Sequence, residues 1–177
     1  MDFMNSKTYQ NLLLAFSGES EARNKYTYYA SKAKKDGYVG ISRVFEETSD
    51  NEKEHAKIWF KLLHNKEIPD TKTNLKDAIE RENYEATKMY KEFSKIAKEE
   101  GYDEIAHTFS EVAEIEKMHR DRYQKLYDEL ENDTIFKKEE NTVWICLNCG
   151  HIYIGKNAPK ICEVCEHPQG YFVPKNN

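Results

Sequence analysis

The sequence contains no run of 18 or more apolar residues, so no segment has the length and hydropathy of a membrane-spanning helix. Its first residues carry no apolar stretch followed by a cleavage-type site, which sets the expectation of a soluble cytoplasmic protein. Lys and Arg total 27 against 32 Asp and Glu, for a net charge of -5. That balance argues against a broad basic face for gripping nucleic acid phosphates. Helix breakers are also scarce. Residues 1–140 hold one proline, Pro69, and four glycines, with no cysteine at all. The last 37 residues are the reverse, with three prolines, three glycines and all four cysteines. Two architectures therefore share one chain of 177 residues, a length that suits one ordinary domain with a small appendage. Mean hydropathy is -0.91, yet 38% hydrophobic residues, including 8 Phe, 12 Tyr and 2 Trp, are enough for a core.

In the first part, apolar residues recur at spacings of three and four, the mark of helices with one buried stripe. A helix over about 5–35 carries Leu12, Ala15, Phe16, Ala22, Tyr26, Tyr29 and Ala33, and Gly37 offers it a left-handed C-cap. A second, over about 38–64, carries Ile41, Val44, Phe45, Thr48, Trp59, Leu62 and Leu63. The third is expected to be capped by Thr73 or Asn74, to bury Leu75, Ile79, Met89, Phe93 and Ile96, and to end at Gly101. The fourth, over about 102–132, follows with Ile105, Phe109, Val112, Tyr123, Leu126 and Leu130. The pattern predicts a mainly α fold, a four-helix bundle.

An internal repeat runs through these helices. Ala33-Lys34-Lys35-Asp36-Gly37-Tyr38 returns as Ala97-Lys98-Glu99-Glu100-Gly101-Tyr102, and the offset of 64 residues also relates Ile41 to Ile105, Phe45 to Phe109, Glu52 to Glu116 and His55 to His119. Two copies of one hairpin are expected.

Acids interrupt every stripe: Glu19, Glu52, Glu82, Glu85 and Glu116. Unpaired carboxylates in a dry core cost several kcal/mol or take up protons, so metal is the economical explanation. Glu19 stands 18 residues before Gly37 and Glu52 15 after it; Glu82 stands 19 before Gly101 and Glu116 15 after it. At about 1.5 Å per residue the four meet within roughly one helical turn. Glu52-x-x-His55 and Glu116-x-x-His119 add an imidazole to each hairpin, because residues three apart share a helix face. One Glu from each of two helices with Glu-x-x-His from the other two is the ligand set of ferritin-like di-iron carboxylate sites. Either pair alone would read as solvated charge; the duplication favours ligands. The repeat is imperfect: Glu19 to Tyr26 is seven residues and Glu82 to Tyr90 is eight, which points to a π-bulge in the third helix. A strict offset of 64 would instead pair Glu21 with Glu85, but Glu19 continues the stripe of Phe16, Ala22 and Tyr26 and is the preferred ligand. Glu85 is then a seventh ligand without a counterpart.

Cys146-x-x-Cys149 and Cys162-x-x-Cys165 form a tetrahedral thiolate set, which suits zinc or a single iron, and their spacing does not choose between the two. A redox site next door favours iron, since it needs a donor of single electrons. Trp59 and Trp144 read as packing residues, Tyr26 and Tyr90 as packing residues that could also hydrogen-bond the site, His64, His107 and His151 as surface residues, and His167 as close to Cys165.

These residues together resemble the rubrerythrin family over almost the whole chain. Ala15-Phe16-Ser17-Gly18-Glu19-Ser20 with Ala22-Arg23-Asn24 and Tyr26 is similar to its first-helix motif, Glu52-Lys53-Glu54-His55-Ala56 to its second, and Glu82-x-x-Glu85 and Glu116-x-x-His119 to its remaining ligands. The tail resembles a rubredoxin module, departing from it at Glu163, where many such knuckles carry proline, and at Glu166, where free rubredoxins carry glycine. The resemblance implies a ferritin-like bundle over residues 1–135, a linker at 136–140 and a rubredoxin-like domain over 141–177. It implies two irons held by Glu19, Glu52, His55, Glu82, Glu85, Glu116 and His119, and one held by Cys146, Cys149, Cys162 and Cys165. Glu52 and Glu116 would bridge, and Glu85 would replace His55 on oxidation. The implied activity is reduction of hydrogen peroxide to water in oxidative stress protection. Electrons would come from a reduced-nicotinamide-dependent reductase or a rubredoxin, in a head-to-tail homodimer or higher homo-oligomer. Iron storage with ferroxidase activity, or reduction of dioxygen, are the alternatives. The short link from Asn65 to Thr73 leaves domain-swapped arrangements open.

Overall fold

The computed structural model describes residues 2–175. The chain is mainly helical, four long helical segments of bundle type followed by a small β domain with four cysteines, and it divides into two compact units, Met1–Pro69 and Asp70–Asn177. Helices α1 (Lys7–Lys35) and α2 (Val39–Leu63) form the first unit. The second contains α3 (Thr71–Tyr84), a π turn (Glu85–Met89), α4 (Tyr90–Glu99), α5 (Asp103–Glu131) and strands β1 (Lys137–Cys146), β2 (Ile152–Asn157) and β3 (Phe172–Pro174).

Each hairpin turns through the same Schellman motif. The Tyr38 N–H donates to the Ala33 carbonyl at 2.9 Å and Gly37 N–H to Lys34 at 3.1 Å; Tyr102 to Ala97 at 2.8 Å and Gly101 to Lys98 at 3.2 Å repeat the pattern. Gly37 and Gly101 sit at φ +88° and +84°, where a side chain would strain the backbone. The aromatic packing repeats as well. Tyr26 lies 6.0 Å and Tyr29 5.6 Å from Phe45, and Tyr90 lies 5.9 Å and Phe93 5.6 Å from Phe109, each residue 64 positions on.

The seam inside each hairpin differs from the expected stripe. Its buried residues are small: Ala30, Ala33, Ser42, Ser49 and Ala56 in the first, Ala86, Ala97, Ala106 and Ala113 in the second. Ile41, Val44, Phe93, Ile96 and Ile105, expected in the core, are exposed. Two helices in close contact admit only small residues along the line of approach, and the bulky ones flank it. Hydroxyls cross the seam in each unit: Ser49 donates to the Arg23 carbonyl at 3.0 Å, and Ser94 to the Ala106 carbonyl at 2.8 Å.

The N-cap of α3 is Asp70, whose carboxylate accepts the Thr73 N–H at 2.8 Å, rather than Thr73 or Asn74. Pro69 sets up this start from outside the helix. The expected π-bulge is present: the Tyr90 N–H donates to the Glu85 carbonyl five residues back. It absorbs the one extra residue between Glu82 and Tyr90.

In the β domain the strand order is β2-β1-β3, all antiparallel, with Trp144 opposite Tyr153 and Pro174. Its core is Trp144, Cys146, Ala158, Cys162 and Phe172, with Phe136 packed against it. The Trp144 indole N–H donates to the Gly155 carbonyl at 2.9 Å, so this tryptophan packs without an unpaired polar atom. Residues 137–140, expected as linker, belong to β1: Lys137 pairs with Asn157, and the register shifts before Thr142.

Candidate metal centres

Helical phase brings three ligands together in each hairpin. Glu19 of α1 meets Glu52 and His55 of α2, and Glu82 of α3 meets Glu116 and His119 of α5; in each triad the donor atoms lie within 4.8 Å of one another. His55 Nδ1 is 2.8 Å from Glu52 and 3.8 Å from Glu19, while His119 Nδ1 is 2.7 Å from Glu116 and 3.6 Å from Glu82. The two halves are thus copies in distance as well as in sequence. Each imidazole turns Nδ1 toward the carboxylates.

The electrostatics of both triads call for a cation. The proton held between Glu19 and Glu52 raises the Glu19 pKa, and burial adds to the effect. Burial raises Glu82 first, and its shared hydrogen bond with Glu116 next. Glu82 Oε2 is buried without a hydrogen-bond partner. A carboxylate oxygen left in this way beside a second carboxylate is repaid by a metal ion, and carboxylate with imidazole suits iron among the first-row metals.

Glu21 points away, ion-paired with Lys25 on the exposed side of α1. Glu85 is largely buried near the second triad but is not in it: its carboxylate is paired with the Arg81 guanidinium. Tyr90 lies against this group, its phenol pushed up by burial and then by the Glu85 and Glu116 charges. Tyr26 packs at a tilt against Phe45 in the matching place. Trp59, expected as packing, has its buried Nε1 without a hydrogen bond, close enough to Glu19 to favour the charged carboxylate.

The four cysteine sulfurs also lie within 4.8 Å of one another. Cys146 to Cys165 and Cys149 to Cys162 are both 3.7 Å. A disulfide would need about 2.05 Å. Sulfurs at about 2.3 Å from a tetrahedral metal stand about 3.8 Å apart, which these match. Backbone N–H groups of the two knuckles supply the polarity: His167 N–H draws the Cys165 thiol down to about 6, while Cys149, although it accepts from His151 N–H, is driven up to about 12 by the neighbouring Cys165 and by burial. Without a metal, four thiolates do not coexist here.

Glu166 takes φ +61°, where the equivalent residue of the first knuckle, Gly150, takes +75°. A side chain in the left-handed region costs about 1–2 kcal/mol. Glu166→Gly is therefore expected to stabilise the β domain by about 1 kcal/mol, read as a higher melting midpoint of Trp144 fluorescence.

Sequence reasoning missed two participants, His151 and Arg81, and placed His167 correctly beside Cys165. His151, taken as a surface residue, is ion-paired through Nε2 with Glu163 at 3.1 Å. His167 Nδ1 lies 3.0 Å from the Cys165 carbonyl, and its ring packs edge-on against Tyr171 at 4.5 Å. Arg81 was not singled out, although its position four residues before Glu85 on one helix face was the available signal. His64, which stacks on Phe60 at 4.1 Å, and His107, exposed near Glu111, take no part in a cluster.

The family profile described as Rubrerythrin matches residues 10–127, and that described as Rubrerythrin, rubredoxin-like domain, matches residues 144–173. Rubrerythrin-1 of Clostridium acetobutylicum is 44% identical over 94% of this chain and 93% of its own length. Rubrerythrin of Nitratidesulfovibrio vulgaris is 42% identical over the same shares. A solved structure of fully reduced, all-ferrous nigerythrin is 28% identical, covering 98% of this chain and 91% of that chain at a TM-score of 0.37. With one profile spanning the carboxylate helices, the other spanning the cysteine domain, and relatives aligned nearly end to end, the chain belongs to the rubrerythrin family.

Proposed function

We propose that this protein is a peroxidase that reduces hydrogen peroxide to water at a dinuclear iron site, with electrons delivered through an iron tetrathiolate. Membership of the family supports peroxidase-type oxidoreductase activity with di-iron and tetrathiolate sites. The observation that carries the reading for this chain is the duplicated triad, with a buried Glu82 oxygen that has no hydrogen bond, in a chain that also holds a second centre able to pass single electrons.

When bound, iron supplies Lewis acidity and one electron from each ion of the pair, while the tetrathiolate iron exchanges one electron at a time. Glu19, Glu52 and His55 would hold one ion, and Glu82, Glu116 and His119 the other. The chain's own residues then have distinct tasks. The carboxylates neutralise the metal charge in a partly desolvated pocket, and the imidazoles fix one neutral donor on each side. The phenol of Tyr90, whose pKa is raised by burial and then by the nearby acids, can donate a hydrogen bond into the site. At the other centre the His151 and His167 N–H groups stabilise thiolate charge.

Electron entry is part of the same proposal. Leu147, Ile161 and Val164 are exposed around the cysteine knuckles, which supports docking of an electron donor there, a nicotinamide-dependent reductase or a rubredoxin. A head-to-tail homodimer or higher homo-oligomer, in which one copy's tetrathiolate serves its partner's dinuclear site, completes this reading. Thiols kept free at metal-ligand distances suit a reducing cytoplasm.

The test is an anaerobic titration of the fully ferrous protein with hydrogen peroxide, followed by the red colour of the ferric tetrathiolate. Three ferrous ions hold three electrons and peroxide takes two, so oxidation should be complete at about 1.5 equivalents per chain and faster than with dioxygen. Slow oxidation by peroxide with rapid uptake of dioxygen would sink the proposal.

A further inference from the structure

Glu85 is the one predicted ligand that stands outside both triads, and the structure shows what holds it there. It opens the π turn, its side chain is 15% exposed, and its carboxylate is paired with Arg81 one turn earlier, a side chain that is 65% exposed. Arg81 therefore reaches in from the solvent side of α3 to cover a buried acid. Glu85 meanwhile lies close enough to Glu82 and Tyr90 for its charge to act on both. The first hairpin has no such device. At the matching positions, 63 residues earlier, stand Gly18 and Ala22.

We propose that Arg81 is a positioning residue, a latch that keeps Glu85 off the metal cluster until the cluster gains charge. The inference rests on the reading of Glu85 as a ligand of the oxidised site. A carboxylate shared between a guanidinium and a metal ion goes to whichever offers the greater charge at shorter range. In the reduced state, Arg81 wins. Added positive charge at the oxidised cluster would draw the Glu85 carboxylate away from the guanidinium N–H groups. The move exchanges one cationic partner of the carboxylate for another. Arg81, left partly exposed, is satisfied by water.

The latch sets a threshold, so its removal should be read in the redox equilibrium rather than in turnover. In the iron-loaded full-length protein, Arg81→Met is expected to shift the ferrous-to-ferric equilibrium of the dinuclear site toward ferric by about fivefold, the upper size for an ion pair with one exposed partner. Arg81→Lys should restore most of the wild-type value. Loss of a nearby positive charge acts in the same direction through space, so the decisive comparison is made in Glu85→Gln, where the latch has nothing to hold. There Arg81→Met should shift the equilibrium much less. An equal shift in both backgrounds would show that Arg81 acts by its field alone and would overturn the proposal. No shift in the wild-type background, while Glu85→Gln alters the ferric spectrum, would overturn the latch and leave the ligand reading standing. If Glu85→Gln leaves both the ferric spectrum and the potential unchanged, the ligand reading fails and the latch falls with it. Iron content and helical circular dichroism, measured alongside, establish that each variant is folded and loaded.

Discussion

Glu82→Gln is expected to make the metal-free protein more stable while abolishing its chemistry. In the wild-type chain the Glu82 carboxyl is raised by burial and by Glu116, and one of its oxygens has no hydrogen bond. A group whose charged form is disfavoured in the fold weakens the fold wherever that form predominates. The amide removes the charge and gives Glu116 a donor. A gain of about 1 kcal/mol would raise the melting midpoint of the metal-free protein by roughly 2–4 °C. The same change deletes an anionic ligand from one half of the dinuclear site. Iron content should fall by at least one ion per chain, and peroxide turnover should fall by more than the roughly 10–100-fold typical of losing a supporting residue around a metal. Calorimetry on the metal-free form, with iron analysis and turnover on the loaded form, reads both effects. A less stable variant that still binds two ions would show that the triad is a structural charge cluster.

The second large effect belongs to the cysteine domain. Cys146 and Cys162 are fully buried among Trp144, Ala158 and Phe172, so their sulfurs are core atoms as well as metal ligands. A domain this small has little apolar core, and metal binding supplies folding energy, on the order of 10 kcal/mol for structural sites. Cys162→Ser should therefore unfold the β domain, with loss of the buried Trp144 fluorescence and of the red ferric colour. The hairpins, which share none of that core, should keep their helical circular dichroism. Functionally the loss should be selective. Peroxide should still oxidise the dinuclear site once in a chemically reduced sample, while sustained turnover with a reductase should fall to background. Unchanged steady-state turnover would remove the tetrathiolate from the electron path. A strong chelator added to the wild-type protein should reproduce both the unfolding and the loss of colour.

Much of this site could be read from the sequence because helical periodicity converts spacing into geometry. Glu52-x-x-His55 and Glu116-x-x-His119 had to share a face, and their distance from Gly37 and Gly101 had to set the level of Glu19 and Glu82. The extra residue before Tyr90 had to be stored somewhere, and the π turn stores it. What spacing does not carry is side-chain choice among neighbours. The apolar stripes named the right helix faces, but which residues sit at the line of closest approach depends on size, and alanine and serine occupy it. Glu85 falls on a ligand-facing turn, yet an arginine four residues earlier captures it. The Asp70 cap and the His151 to Glu163 pair depend on local turns and cross-loop contacts, which no period encodes.

The π turn also has a consequence for symmetry. Each residue of an α-helix advances the side chain by about 100°, so one extra residue would rotate Glu82 by that angle relative to Tyr90. The wider turn cancels the rotation, and the second triad keeps the geometry of the first. The insertion is therefore silent for Glu82, Glu116 and His119 and is felt only within the turn itself, where Glu85 has no twin. Two halves of repeated sequence thereby become inequivalent at a single point. Of the two iron positions they would form, one has a carboxylate in reserve and the other does not, before any oxidant arrives.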